Sequence, residues 1–85
     1  MPEICRFYGI VITMNYKEEN LPNFNATYQE YKISIDIKTG LVNGKMPRRA
    51  LEIIFEWLDI YNEELLENWD LAQNRKTLLK ILPLL

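Results

Sequence analysis

An antiparallel sheet of three or four strands in meander order, followed by two consecutive helices packed on one face, is the α+β fold that the sequence predicts. Three observations predict it. Apolar residues alternate with period two through residues 7–37, the spacing turns helical at Pro47, and turn-forming residues separate the segments. Strands that all precede the helices favour segregated layers over a parallel α/β sheet.

At 85 residues, the chain reads as a single domain, residues 1–85, near the lower size at which one apolar core suffices. Apolar residues at 48% and charged residues at 26% fit a globular chain and argue against disorder. A net charge of -2 gives no overall attraction to nucleic acid or to an anionic membrane, so any such binding must be local. There is no histidine, and Cys5 is the single cysteine. That composition excludes an intrachain disulfide, a Cys/His metal centre and histidine-based catalysis, and it implies no cofactor. The opening residues carry Glu3 and no basic run before an apolar stretch, unlike a signal peptide, and no apolar run reaches a membrane span. The expectation is a soluble, cytoplasmic protein.

The first strand is expected over residues 7–16, with Tyr8, Ile10, Ile12, Met14 and Tyr16 on the core face and Gly9 marking a bulge or a close backbone approach. Lys17-Glu18-Glu19-Asn20 is a polar loop, and Leu21-Pro22-Asn23 leads into a second strand with Phe24, Ala26 and Tyr28 inward. Gln29-Glu30 is a tight connection. Tyr31, Ile33, Ile35 and Ile37 then alternate with Lys32, Ser34 and Asp36, the clearest half-buried strand. Lys38-Thr39-Gly40 turns again, and Leu41-Val42 adds a short edge strand before Asn43-Gly44.

Proline suits the first helical position, so a helix is expected from Pro47 to Tyr61. Two apolar rows run along it: Leu51, Ile54, Leu58 and Tyr61, and beside them Ala50, Ile53, Trp57 and Ile60. One row is enough to cover a small core, so the second is expected to meet a partner or the rest of the chain. Between the rows, Glu52, Glu56, Asp59 and Glu63 form an acidic stripe that reads as a solvated face. Asn62 is expected to cap a second helix, Glu63 to Asn74, that buries Leu65, Leu66, Trp69 and Ala72. The tail from Thr77 to Leu85 is too apolar to hang free and should pack back or dock on a partner.

Three groups of residues are candidate sites. Lys45, Arg48 and Arg49 stand at a helix start, where two arginines oppose the macrodipole at about 0.3–1 kcal/mol each when exposed. They suit an internal salt bridge to Glu3, Glu30 or Asp36, an acidic protein partner, or a nucleic-acid phosphate. Asn23 and Asn25 are either turn residues bonding their own backbone or contacts to a ligand. Ile53, Trp57 and Ile60, with Leu82, Leu84 and Leu85 of the tail, form the expected protein interface. The many aromatics lack the basic flanks of a base-stacking platform and read as core or protein contact.

Met1-Pro2-Glu3-Ile4 with Phe7, Gly9-Ile10-Val11-Ile12, Leu21-Pro22-Asn23-Phe24, Tyr31 to Asp36, Gly44-Lys45-Met46-Pro47-Arg48-Arg49-Ala50 and Glu64 to Trp69 together resemble the small prokaryotic family called domain of unknown function 4160. The resemblance implies a two-protein complex, because members tend to be encoded beside another small protein in the manner of toxin–antitoxin pairs. Members usually carry histidines where this chain has Asn23 and Asn25. Chemistry that depends on those histidines is therefore not expected here, although hydrogen bonding survives the change.

The expected function is a non-catalytic protein-interaction domain, one partner of a toxin–antitoxin-like complex. An alternative is a phage or mobile-element inhibitor, of the anti-CRISPR type, that blocks a host defence complex by binding it. The enzymatic alternative is a histidine-independent ribonuclease toxin in which Lys45, Arg48 and Arg49 steady the phosphate. The expected partner is thus a cognate small protein or a host defence protein. Nucleic acid is reached only through the basic cluster, a homo-oligomer is open to it, and no membrane is involved.

Overall fold

The computed structural model describes residues 2–16 and 21–84, so the polar loop 17–20 and the last residue of the tail lie outside the described residues. Among the described residues, five strands precede two helices: β1 Glu3–Phe7, β2 Ile10–Thr13, β3 Asn23–Tyr28, β4 Tyr31–Asp36, β5 Val42–Gly44, α1 Arg48–Ile60 and α2 Asn62–Gln73. The strands lie in chain order β1-β2-β3-β4-β5, each antiparallel to its neighbours. The α+β class and the meander stand, and the strand number rises from the expected three or four to five.

The added strand comes from a turn inside the first expected strand. Phe7 pairs with Ile10, and the two residues between them, Tyr8 (φ 49) and Gly9 (φ 78), both have positive φ, as a two-residue primed hairpin turn requires. Gly9 is thus a turn residue, not a bulge, and Tyr8 points away from the core that it was expected to join. The register shift lies between Glu3 and Cys5, where consecutive Ile4 and Cys5 are both buried. That irregularity hides the period-two signal of β1.

Inward-facing Phe7, Ile10, Ile12, Phe24, Ala26, Ile33 and Ile35 meet Ala50, Ile54, Trp57 and Leu58 of α1 and Leu65, Trp69 and Ala72 of α2 in one core. Trp57 lies at its centre, with ring centroids 5.4 Å from Phe7 and 5.8 Å from Phe24. Each large side chain fully buried in this way contributes about 1.5–3 kcal/mol relative to exposure. Pro47 stands just outside α1, which begins one residue later than expected. The helices divide at Tyr61, and Asn62 spends its amide on the Ile37 carbonyl (3.1 Å) instead of capping α2. Leu66 is only half-buried, and Asn68 takes the fully buried position beside Leu65 and Trp69.

From residue 76 the chain runs back over the fold as an extended strap. The Tyr16 hydroxyl donates to the Lys76 carbonyl (3.1 Å), the Ile81 N–H to the Ile4 carbonyl (2.9 Å), and the Trp57 indole N–H to the Leu82 carbonyl (2.8 Å). Asn68 grips Leu79 from both sides, its amide donating to the Leu79 carbonyl (2.8 Å) while its oxygen accepts the Leu79 N–H (2.9 Å). The strap therefore packs back on its own chain, one of the two outcomes expected for the tail.

Candidate functional site

Gly44 has φ 111 and its α-carbon lies against the backbone of β4, so β5 ends abruptly and Lys45-Met46-Pro47 carries the chain across to α1. This crossing brings Lys45, Arg48 and Arg49 to one end of the molecule, all three exposed. No acidic residue occupies the first turn of α1 and no side chain caps it. The Arg48 side chain is 94% exposed and, among the described residues, pairs only with Glu52, one turn along, at 3.9 Å. A surface contact of that length contributes at most about 1 kcal/mol. Among the described residues, neither Lys45 nor Arg49 forms an ion pair. The acids expected to neutralise the cluster are engaged elsewhere or are not paired with it. Glu3 binds Arg6 at 2.7 Å, and Asp36 accepts the Lys38 and Thr39 N–H groups to close its own turn.

Next to Arg49 is a cleft of about 100 Å³ between the first hairpin turn and α1, lined by Tyr8, Ile10, Tyr28, Pro47, Arg49, Ala50 and Ile53. Alternation predicts Tyr8 and Tyr28 on the core face; Tyr28 does pack against the core, half-buried, whereas Tyr8 is exposed. The available signal was Gly9 between two apolar runs, which suits the second position of a two-residue hairpin turn.

Asn23 and Asn25 lie on β3, not in a loop, on the sheet face opposite the helices. Register sets Thr13, Asn25, Ser34 and Asn43 side by side across β2, β3, β4 and β5. Asn25, Ser34 and Asn43, with Asn15, Asn23, Asp36 and the exposed Leu21 and Leu41, line a shallow groove of about 290 Å³. Asn23 donates to the Leu21 carbonyl (2.9 Å), the local backbone bond expected of a turn asparagine. The groove carries carboxamides, one hydroxyl and one carboxylate, and no basic side chain lines it.

The expected interface row divides. Trp57 is 0% exposed, so it serves the fold and offers nothing to a partner. The sheet and the strap cover the middle of the second apolar row, with Phe7 and Phe24 against the Trp57 ring and the Leu82 carbonyl on its N–H. Ile53 is half-buried in the cleft wall and Ile60 is exposed at the far end of α1. Leu82 is 69% exposed although its carbonyl is bound, Leu84 is half-buried against the core, and Leu85 lies outside the described residues. Glu52, Glu56, Asp59 and Glu63 are exposed, as a solvated face should be.

Acidities are displaced along β1, beside the strap. The hydrogen bond from Arg6 holds the Glu3 carboxyl below its usual range, and burial pushes the Cys5 thiol up. Among the described residues, no three acid, thiol or imidazole side chains converge as metal ligands would, and no helix is long and apolar enough to cross a membrane.

No curated protein and no solved structure matches the chain. A family match spans residues 9–70, taking in the segments from Gly9 to Trp69 that carry the resemblance and leaving out all of β1, the end of α2 and the strap. Because that match covers well over half of its length, the chain belongs to the family described as Domain of unknown function (DUF4160).

Proposed function

We propose that this protein is a non-catalytic binding domain, one partner of a toxin–antitoxin-like pair in the cytoplasm, and that it meets its partner at the end of the molecule where α1 begins. The observation that carries the reading is the exposure of Lys45, Arg48 and Arg49 with a single long contact to a carboxylate among the described residues. Cations left unneutralised at a helix start raise the local potential and favour an acidic surface. Trp57 no longer contributes to this face, because its ring is consumed by the core.

The test is co-purification with the product of the adjacent gene, followed by charge reversal. Arg48→Glu with Arg49→Glu should weaken the complex at least tenfold, as loss of close interfacial charge pairs does. Glu56→Lys, on the solvated stripe, should leave it nearly unchanged. An intact complex in the double reversal would refute the assignment of this face. An inhibitor of a host defence complex would use the same surface, and only the identity of the co-purifying protein separates the two roles.

A further inference from the structure

Tyr8 breaks a local rule of hairpin chemistry. It holds φ 49 at the first central turn position, where glycine, asparagine or aspartate is favoured. Burial does little to offset that strain, because the residue is 60% exposed and touches Phe7 only edge-on, at 6.2 Å between centroids. Gly9 beside it, at φ 78, takes the conformation glycine favours, and its α-carbon side faces the Tyr28 ring, which an added Cβ would touch at 3.4 Å. The result is a cleft with an apolar floor of Ile10 and Ala50, a wall of Ile53, and Arg49 among its lining residues. Its volume of about 100 Å³ is well below the roughly 300 Å³ at which small-molecule pockets begin, and it suits one branched aliphatic side chain.

We infer that this cleft receives one aliphatic side chain from an acidic segment of a protein partner, while Arg49, Arg48 and Lys45 take the flanking carboxylates. This rests on the reading of the basic end of α1 as a protein contact, and adds to it an apolar anchor. Exposed tyrosine next to arginine is the composition of an interface centre. The cationic flank selects against basic segments, and burying one leucine supplies the affinity that screened surface charges lack.

The experiment titrates isotope-labelled protein with two capped pentapeptides, four glutamates around a central leucine and four glutamates around a central serine, and reads backbone amide shifts by NMR. The leucine peptide should move Tyr8, Gly9, Arg49 and Ile53 and bind about tenfold or more tightly than the serine peptide. Tyr8→Gly should keep or raise the melting temperature while abolishing that preference. Ile53→Ala, which leaves the turn untouched, should abolish it independently. Equal binding of both peptides, or a leucine preference that survives both substitutions, overturns the cleft and leaves the basic contact standing. Absence of shifts with either peptide at millimolar concentration overturns the cleft and the basic contact together. A single-stranded RNA pentamer that moves the same residues more strongly than the leucine peptide overturns the protein partner in favour of phosphate.

Discussion

Asn68 shows how one polar side chain can stand in for a strand. Its carboxamide offers a donor and an acceptor in the spacing of a peptide group, and it meets the N–H and carbonyl of Leu79 as a neighbouring strand would. Removing it with Asn68→Ala leaves two part-buried backbone groups unpaired, so urea unfolding should show a loss of about 1–3 kcal/mol. This residue was not legible in the sequence. A polar side chain between Leu65 and Trp69 looks like an interruption of an apolar face, and nothing local points to a partner eleven positions on. Cys5 was legible as an unpaired thiol but not as a core residue. Burial favours its neutral form, so the native thiol should resist iodoacetamide at mildly alkaline pH and react only as the protein unfolds; rapid labelling in native buffer would contradict its placement. Glu3 acts with the opposite sign. Its lowered carboxyl favours the charged form in the folded state, so its contribution is present above the ordinary carboxylate range and lost as pH falls through the folded value. Glu3→Gln should therefore slightly flatten the acid limb of a stability profile.

Among the elements, β3, β4 and both helices follow directly from periodicity, since their alternation or helical spacing is unbroken over most of their length. The first hairpin does not. Its strand carries adjacent buried Ile4 and Cys5, and its turn carries a tyrosine where glycine or asparagine is usual. Short β5 was visible as a turn-flanked edge at Leu41-Val42, but it starts one residue later and runs through Asn43 and Gly44, the residues expected to turn. It depends on Gly44, where an added Cβ would fall 2.6 Å from the Lys32 carbonyl oxygen and φ is +111. Gly44→Ala should thus destabilise by roughly 1–3 kcal/mol and move the basic crossing to α1, which amide shifts at Lys45 and Arg49 would report. Truncation after Arg75 removes the strap with buried Ile81 and the Leu82 carbonyl bound by Trp57. The expected loss is roughly 3 kcal/mol, from one buried aliphatic chain and several hydrogen bonds, read as a lowered urea midpoint.

Across the whole molecule, α1 has two uses at different points along its length. Its middle is committed to folding, with Ile54, Trp57 and Leu58 sealed between sheet, α2 and strap. Its first turn is left exposed and cationic beside a small apolar cleft. The surplus apolar row seen in the sequence was real, but periodicity cannot tell a partner from a distant part of the same chain, and here the sheet and the strap cover its middle at Trp57 while Ile60 stays exposed. The basic cluster was legible because a helix start should not carry two arginines; the cleft was not, because it joins residues from a turn, a strand and a helix. Hydrogen exchange at the Trp57 indole tests this division most directly. A spectrum of the isolated protein after transfer to deuterated buffer should retain the indole N–H, bonded to the Leu82 carbonyl at 2.8 Å, for as long as the slowest core amides persist. Exchange at the rate of a free indole would place Trp57 at the surface and return the row of Ile53, Trp57 and Ile60 to the partner.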